Sequence, residues 1–282
     1  MKLTDFDVYK QLLLSQSGLD LSQEKTYILE SRLKPVAKKW GYPALGSMTM
    51  ALNGVPEPGL IDDIVEAMTN NDTSFFRDGQ PFESFKKDVL PYMEKSRAKA
   101  KTLRVWSAGC SSGQEPYSLA IILKEMQENA PAWKPQILAT DISDEILEQA
   151  KEGRYTQFEV QRGLPVQLLM KHFQQEGDKW QIDEDVASIV TFYKHNLVED
   201  MNRLDMFDVI FCRHVLTSFN KETQRKVLEN MLEHLEPDGF LILDDSEDVS
   251  NITDQIKNVE GRKNVFAHAN GPHVGSTKAT GT

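Results

Sequence analysis

Apolar positions over residues 1–70 recur at helical spacing. Phe6, Tyr9, Leu12 and Leu13 share one side of a segment that Thr4 or Asp5 can cap and Gly18 ends. Leu29, Leu33, Val36 and Trp40 fall at i, i+4, i+7 and i+11, which predicts a second helix from near Ser22 to Trp40. Gly41 suits the left-handed residue after it, and Pro35 should kink it. Beyond the breaker cluster 53–59, the positions Leu60, Ile61, Ile64, Val65 and Met68 predict a third helix. No strand-like alternation interrupts this stretch. A helical domain over 1–70 is expected, with residues 71–95 as a linking segment.

From Thr102 onward the pattern changes to short β-rich runs alternating with helices. TLRVWSA, a helix after Pro116, QILATD and ISDEILEQA read as βαβα, hence a parallel sheet covered by helices. FDVIFC and GFLIL add strands around an amphipathic helix near Val227 to Leu235. The reading is a doubly wound α/β domain over 96–269. KWQI and the run Val186 to Tyr193 read as antiparallel strands about a turn at Gly177 and Asp178, a small β-subdomain at about 174–194. The polar, Gly/Ser/Thr-rich tail 270–282 is expected to be disordered.

Composition narrows the function classes. The formal net charge of -11 opposes binding to a nucleic-acid backbone. The start MKLTDFDVYK offers no signal peptide, and no apolar run approaches the roughly 18 residues of a membrane span, so a cytoplasmic protein without membrane insertion is expected. The two cysteines, Cys110 and Cys212, lack the spacing of a zinc site or disulfide framework and read as buried apolar residues; no metal is expected.

The densest candidate chemistry is RVWSAGCSSGQEPYSLAI, Arg104 to Ile121. A strand enters a loop containing Gly109 and Gly113, and the following helix presents unpaired N–H groups to whatever lies in the crevice. It is neither a Walker loop nor a strict G-x-G-x-x-G. Glu115 is placed for a cationic ligand group, or for the helix dipole. Asp141, ending ATDIS, is placed for the hydroxyls of a ribose, or as a cap before the helix at Ser143. Together these four residues describe a site for a nucleoside bearing an amino-acid tail.

With NDTSFFRD (71–78), that loop, ATDIS, HNL (195–197), FDVIFCRHVL and LEPDGFLIL in order, the chain resembles the CheR family of chemotaxis-receptor methyltransferases from Met1 to about His268. The resemblance implies a helical N-terminal domain joined to a class I S-adenosylmethionine-dependent methyltransferase domain with a small antiparallel β-subdomain. It implies methyl transfer from S-adenosyl-L-methionine, leaving S-adenosyl-L-homocysteine, to glutamates in the cytoplasmic helical region of receptors. The cofactor contacts it carries over are Asn71, Thr73, Arg77, Glu115, Asp141, Asn196, Leu197, His214 and Val215. The planar fork of Arg77 suits it to position a carboxylate, or to form a surface ion pair with Asp78 or Glu83. Phe75 and Phe76 are expected as core anchors. Arg32, Lys34, Lys38 and Lys39 offer a dock for an acidic receptor helix, or a solvated basic face. A monomer is expected.

Two stretches depart from the family pattern. CRHVLTSF replaces the usual C-R-N-V-L-I-Y-F, putting His214 for asparagine and Ser218 for tyrosine. Asp244, Asp245, Ser246 and Glu247 stand for the usual Gly-His-Ser-Glu or Gly-Ala-Ala-Glu. The competing reading is a cofactor-binding regulator without transfer activity; methylation of a small molecule or RNA fits the charge and the motifs less well.

Overall fold

The computed structural model describes residues 3–249 and 251–274. They fall into two compact units, one made of the chain up to residue 70 together with 217–224, the other of 71–216 with the remainder.

The first unit is helical. It holds α1 (Leu3–Ser17), α2 (Thr26–Lys39), α3 (Leu45–Leu52) and α4 (Leu60–Met68). Phe6, Tyr9, Leu13, Leu29, Leu33, Met48, Leu60 and Ile64 make its core. The Tyr9 hydroxyl donates to the Leu45 carbonyl at 2.9 Å, and Trp40 Nε1 donates to Asp63 at 2.7 Å. Thr4 and Asp5 lie inside α1 rather than before it. A 3-10 turn, Gln23–Lys25, delays α2 by four residues from Ser22. Leu19 bridges Phe219, and Asp20 N–H donates to the Ser218 carbonyl at 2.9 Å.

The second unit opens where a linker is expected, yet residues 80–96 run as one helical stretch: α5 (Gln80–Ser84), a π turn (Phe85–Val89) and α6 (Leu90–Ser96). Phe82, Phe85, Val89, Leu90 and Met93 are buried, and both phenylalanine rings meet Phe211, at 5.9 and 5.5 Å. Burial of this apolar face makes the segment part of the core.

Then come β1 (Thr102–Ala108), α7 (Gln114–Asn129), β2 (Lys134–Asp141) and α8 (Asp144–Glu152). Next are β3 (Arg154–Thr156), α9 (Gln157–Gln161), α10 (Val166–His172), β4 (Phe173–Glu176) and β5 (Lys179–Ile182). They are followed by α11 (Glu184–Ala187), β6 (Val190–Lys194), β7 (Phe207–Cys212) and α12 (Lys221–Glu233). The chain closes with β8 (Leu235–Ile242), β9 (Ile256–Asn258) and β10 (Val265–His268).

The main sheet has the order β6-β2-β1-β7-β8-β10-β9. Its first five strands are parallel, whereas β10 pairs antiparallel with β8 and β9 antiparallel with β10. The doubly wound α/β expectation holds. Strand order reverses between β1 and β7, and such a switch point opens a crevice at the C-terminal ends of the strands.

The β-subdomain differs from its expected pairing. Its sheet is β3-β5-β4, so KWQI pairs with FQQE and with Arg154–Thr156. Val190–Lys194 instead joins the main sheet, parallel to β2. Alternation tells that a run is a strand but not which strand it pairs with. In the tail, His273 stacks on Phe240 at 4.1 Å and its Nε2 meets the Asp238 carbonyl at 2.9 Å. Residues 275–282 lie outside the described residues. No helix among the described residues is long and apolar enough to cross a membrane.

Candidate cofactor site

The loop after β1 is held against the end of β2 by its backbone. Gly109 and Cys110 N–H both donate to the Thr140 carbonyl, at 2.8 and 2.9 Å. Gly109 has φ +75°, and a Cβ there would come within 2.5 Å of a Val215 methyl, so glycine lets this loop meet the segment after β7. Gly113, at φ +93°, leaves room for the Tyr155 hydroxyl and the Ala150 methyl. Both glycines thus have a packing reason.

Asp141 closes β2 at the same place. Its Oδ2 accepts the Ser111 N–H at 2.8 Å, and its Oδ1 accepts the Ser143 N–H at 3.1 Å. Capping of α8 belongs to Ser143, whose Oγ accepts the Ile146 N–H at 3.0 Å. Burial pushes the Asp141 carboxyl up, and the backbone N–H bonds pull against that. A carboxylate has about four lone-pair sites, and with Ile142 N–H also contributing beside those two, acceptor capacity is left over for a ligand. His195 N–H donates to the Asp141 carbonyl at 2.9 Å, which brings Asn196 and the buried Leu197 beside this strand end.

The 71–78 segment joins the loop from another side. Ser111 Oγ donates to the Asn71 carbonyl at 2.9 Å, and Phe76 N–H donates to Ser118 Oγ at 2.9 Å. Thr73 is half-buried between them. Phe75 is a buried anchor, its ring 4.9 Å from Tyr155 and 5.6 Å from Phe173. Arg77 folds back on its own segment, donating to the Asp72 carbonyl at 2.5 Å with its Nη2 3.6 Å from the Asp72 carboxylate.

Arg213, one residue past β7, organises the charges. Its side chain is 1% exposed. Nη1 donates to Glu115 at 3.1 Å; Nη2 donates to Asp78 at 2.6 Å and to the Arg77 carbonyl at 2.9 Å, and lies 3.7 Å from Asp244. Glu115 accepts a second bond from Ser107 Oγ at 2.8 Å. His214 Nε2 sits 2.8 Å from Asp78 and 3.4 Å from Asp244. Burial raises the Asp244 carboxyl, but bonds from Ser246 and the nearby His214 and Arg213 bring it below the usual range. Ligand atoms of Asp78, His214 and Asp244 lie within 4.8 Å of one another, and the Arg213 guanidinium already supplies the positive charge that such a cluster attracts.

The structure therefore brings Asn71, Arg77, Gly109, Glu115, Asp141, His214 and Val215 to the C-terminal ends of β1, β2, β7 and β8. Sequence reading passed over Arg213, Ser107 and Ser111, and gave Asp78 only as an ion-pair partner of Arg77, from whose Nε it lies 4.0 Å. The one available signal was a charged residue directly after the fully apolar end of FDVIFC. Cys110 and Cys212 are buried, and burial pushes both thiols well up.

The four basic candidates of α2 divide. Arg32 is spent on the Met68 and Thr69 carbonyls, at 3.2 and 2.5 Å, and Lys39 pairs with Asp63 at 2.7 Å. Lys34 and Lys38 are exposed and line a groove of about 640 Å³ with Glu30, Tyr42 and Leu45. Ser218, in the first unit, offers its carbonyl to Asp20.

Residues 71–265 match the family model described as CheR methyltransferase, SAM binding domain. Chemotaxis protein methyltransferase 1 of Pseudomonas aeruginosa is 36% identical over 260 residues, covering 91% of this chain and 94% of the relative. Chemotaxis protein methyltransferase Cher2 of Pseudomonas putida is 34% identical over the same coverage of both chains. Chemotaxis protein methyltransferase 1 of Vibrio cholerae is 36% identical over 252 residues, covering 88% and 90%.

Proposed function

The chain belongs to the CheR methyltransferase family, and on that premise we propose that it esterifies glutamate side chains of chemotaxis receptors with the methyl group of S-adenosylmethionine. The observation that carries the reading is the convergence of the Gly109–Ser111 loop, Asp141 and the Glu115–Arg213 pair at the switch point of the sheet.

The residues present fit the cofactor. Asp78, Glu115 and Asp244 outnumber the cations facing them, Arg213 and, at Asp78, Arg77, a surplus of negative charge suited to an ammonium and a sulfonium. Arg213 Nε is buried without a hydrogen-bond partner, a donor suited to a carboxylate. When bound, S-adenosylmethionine supplies a methyl group on a positively charged sulfur. In this reading Asp141 accepts the ribose hydroxyls, Glu115 the amino group, and Asn196 and Leu197 flank the base.

A glutamate side chain, with an ordinary pKa of about 4.3, is already an anionic nucleophile at neutral pH, so no general base is required. The site's work is alignment and exclusion of water. Arg77 is the orienting group, since its planar fork grips a carboxylate bidentately. Lys34 and Lys38 contribute docking charge toward an acidic receptor helix, and the protein acts as a cytoplasmic monomer.

The test is incubation with tritiated S-adenosylmethionine and receptor-bearing membranes, scored as base-labile methanol. Methyl esters hydrolyse in alkali and N-methyl groups do not. Cofactor binding without label in any receptor of the same cell favours the second reading, a regulator without transfer activity, which the substitutions at His214, Ser218 and Asp244 motivate.

A further inference from the structure

Arg77 sits in a turn that is strained on both sides. Phe76 has φ +47° and Asp78 has φ +66°, and neither is glycine. Such residues persist only where their surroundings over-determine them. Arg213 Nη2 holds the Arg77 carbonyl at 2.9 Å, Ser118 Oγ accepts the Phe76 N–H at 2.9 Å, and the side-chain handle is Asp78 Oδ2, which lies 2.6 Å from Arg213 Nη2 and 2.8 Å from His214 Nε2. A carboxylate oxygen only accepts, so His214 Nε2 carries the hydrogen.

His214 itself has φ +60°, in the left-handed region that asparagine enters more readily than most residues. Asparagine is the usual residue of the family pattern here. The ring is thus kept at a backbone cost, and its contacts are what it offers in return. Its second neighbour is Asp244, at 3.4 Å, where the pattern has glycine. The two departures lie 30 residues apart in the chain and meet at one nitrogen.

We propose that His214 and Asp244 form a coupled positioning pair, which fixes Asp78 and through it holds the strained Arg77 turn against the cofactor loop. Asp244 holds the Nε2–H edge of the ring by its charge, at 3.4 Å, while the hydrogen itself goes to Asp78; the ring and Arg213 pin Asp78. This rests on the methyltransferase reading and deepens it: neither residue touches the transferred group, and both act through Arg77.

The test compares the wild type with His214→Asn, Asp244→Asn, their double variant and His214→Gln, measuring the S-adenosylhomocysteine dissociation constant by calorimetry and the melting temperature of each. Asp244→Asn keeps acceptors for the Ser246 N–H and hydroxyl, so its turn survives. Each single asparagine variant is expected to bind about tenfold more weakly, and the double variant no more weakly than the worse single one. His214→Asn should melt no lower than wild type, because its backbone strain is relieved. His214→Gln places a nitrogen donor at the same reach as Nε2, and should bind near wild type while melting lower. Binding and stability then move in opposite directions, which a merely structural role would not produce. Losses that multiply in the double variant, or that follow melting temperature, overturn the pair. A wild type that binds no S-adenosylhomocysteine overturns the cofactor reading itself.

Discussion

Strand β7 carries Asp208 near its start and leads into Arg213 past its end, and the ion clusters at its two ends are built differently. At the start, Arg97 Nε donates to Asp208 at 2.6 Å while Nη1 and Nη2 grip Asp238 bidentately at 2.9 and 2.6 Å. Asp208 also accepts the Arg104 N–H at 2.7 Å, and Ser96 Oγ donates to Asp238 at 2.5 Å. The donors and acceptors close on one another. At the far end Arg213 faces three carboxylates, its Nε is unpaired, and a histidine stands at the rim. One cluster is complete within the protein, as a brace should be. The other has charge left over, as a site for a charged ligand should have.

The largest expected effect follows from removing the buried guanidinium. Arg213→Ala leaves Glu115 without its cation and strips Asp78 and Asp244 of their buried guanidinium, and should cost about 3–5 kcal/mol of stability, measured by urea unfolding, together with cofactor binding. Wild-type stability in this variant would dissolve the distinction between the two ends. Asp141→Ala should weaken S-adenosylhomocysteine by about ten- to a hundredfold in calorimetry, the worth of charge-assisted hydrogen bonds, while the domain stays folded.

Arg97→Ala should do the reverse, losing about 1.5–3 kcal/mol of stability with cofactor affinity unchanged. Its pH dependence sharpens the comparison. Hydrogen bonds from Arg97 hold the Asp238 carboxyl well below its usual range, so its contribution is fully present above the unfolded value of about 3.9 and lost as pH falls through the folded one. The gap in melting temperature between wild type and Arg97→Ala should therefore narrow below about pH 4. Burial raises Asp141 and Glu247, whose sign is opposite: the folded state holds their protons more tightly, so stability falls as pH rises from their unfolded values of about 3.9 and 4.3 through their higher folded ones.

The smallest effect is at the groove of the helical unit. Charge reversal at Lys34 and Lys38 should raise receptor KM by about two- to fivefold at low salt and less at high salt, since exposed charges are screened over about 8 Å. Equal kinetics at low salt would remove these residues from docking.

The central strands were legible because burial on both faces writes near-continuous apolar runs: every residue of β7 is buried. Helix α4 was legible because one stripe of it carries the core. Helix α3 was not, being eight residues with apolar and small side chains on most sides. The placement of β6 was hidden because pairing depends on the path taken by α11, not on the strand's own pattern. Arg213 was hidden for another reason. Its partners come from residues 78, 115 and 244, and nothing local to any of them announces a shared guanidinium.

The sheet ends at β9, three residues long and carrying Lys257, paired to β10 in antiparallel sense. Short, charged border strands discourage hydrogen-bonded pairing of one chain's sheet edge with another's. Because β9 and β10 follow β8 in the chain, a ribosome must deliver both before the open flank of β8 is covered. A chain released before Val265 would present that flank bare, with the buried run Phe240–Leu243 beside it, as a template for its own copies. Quality control during synthesis therefore has a definite target in chains that stop between β8 and β10.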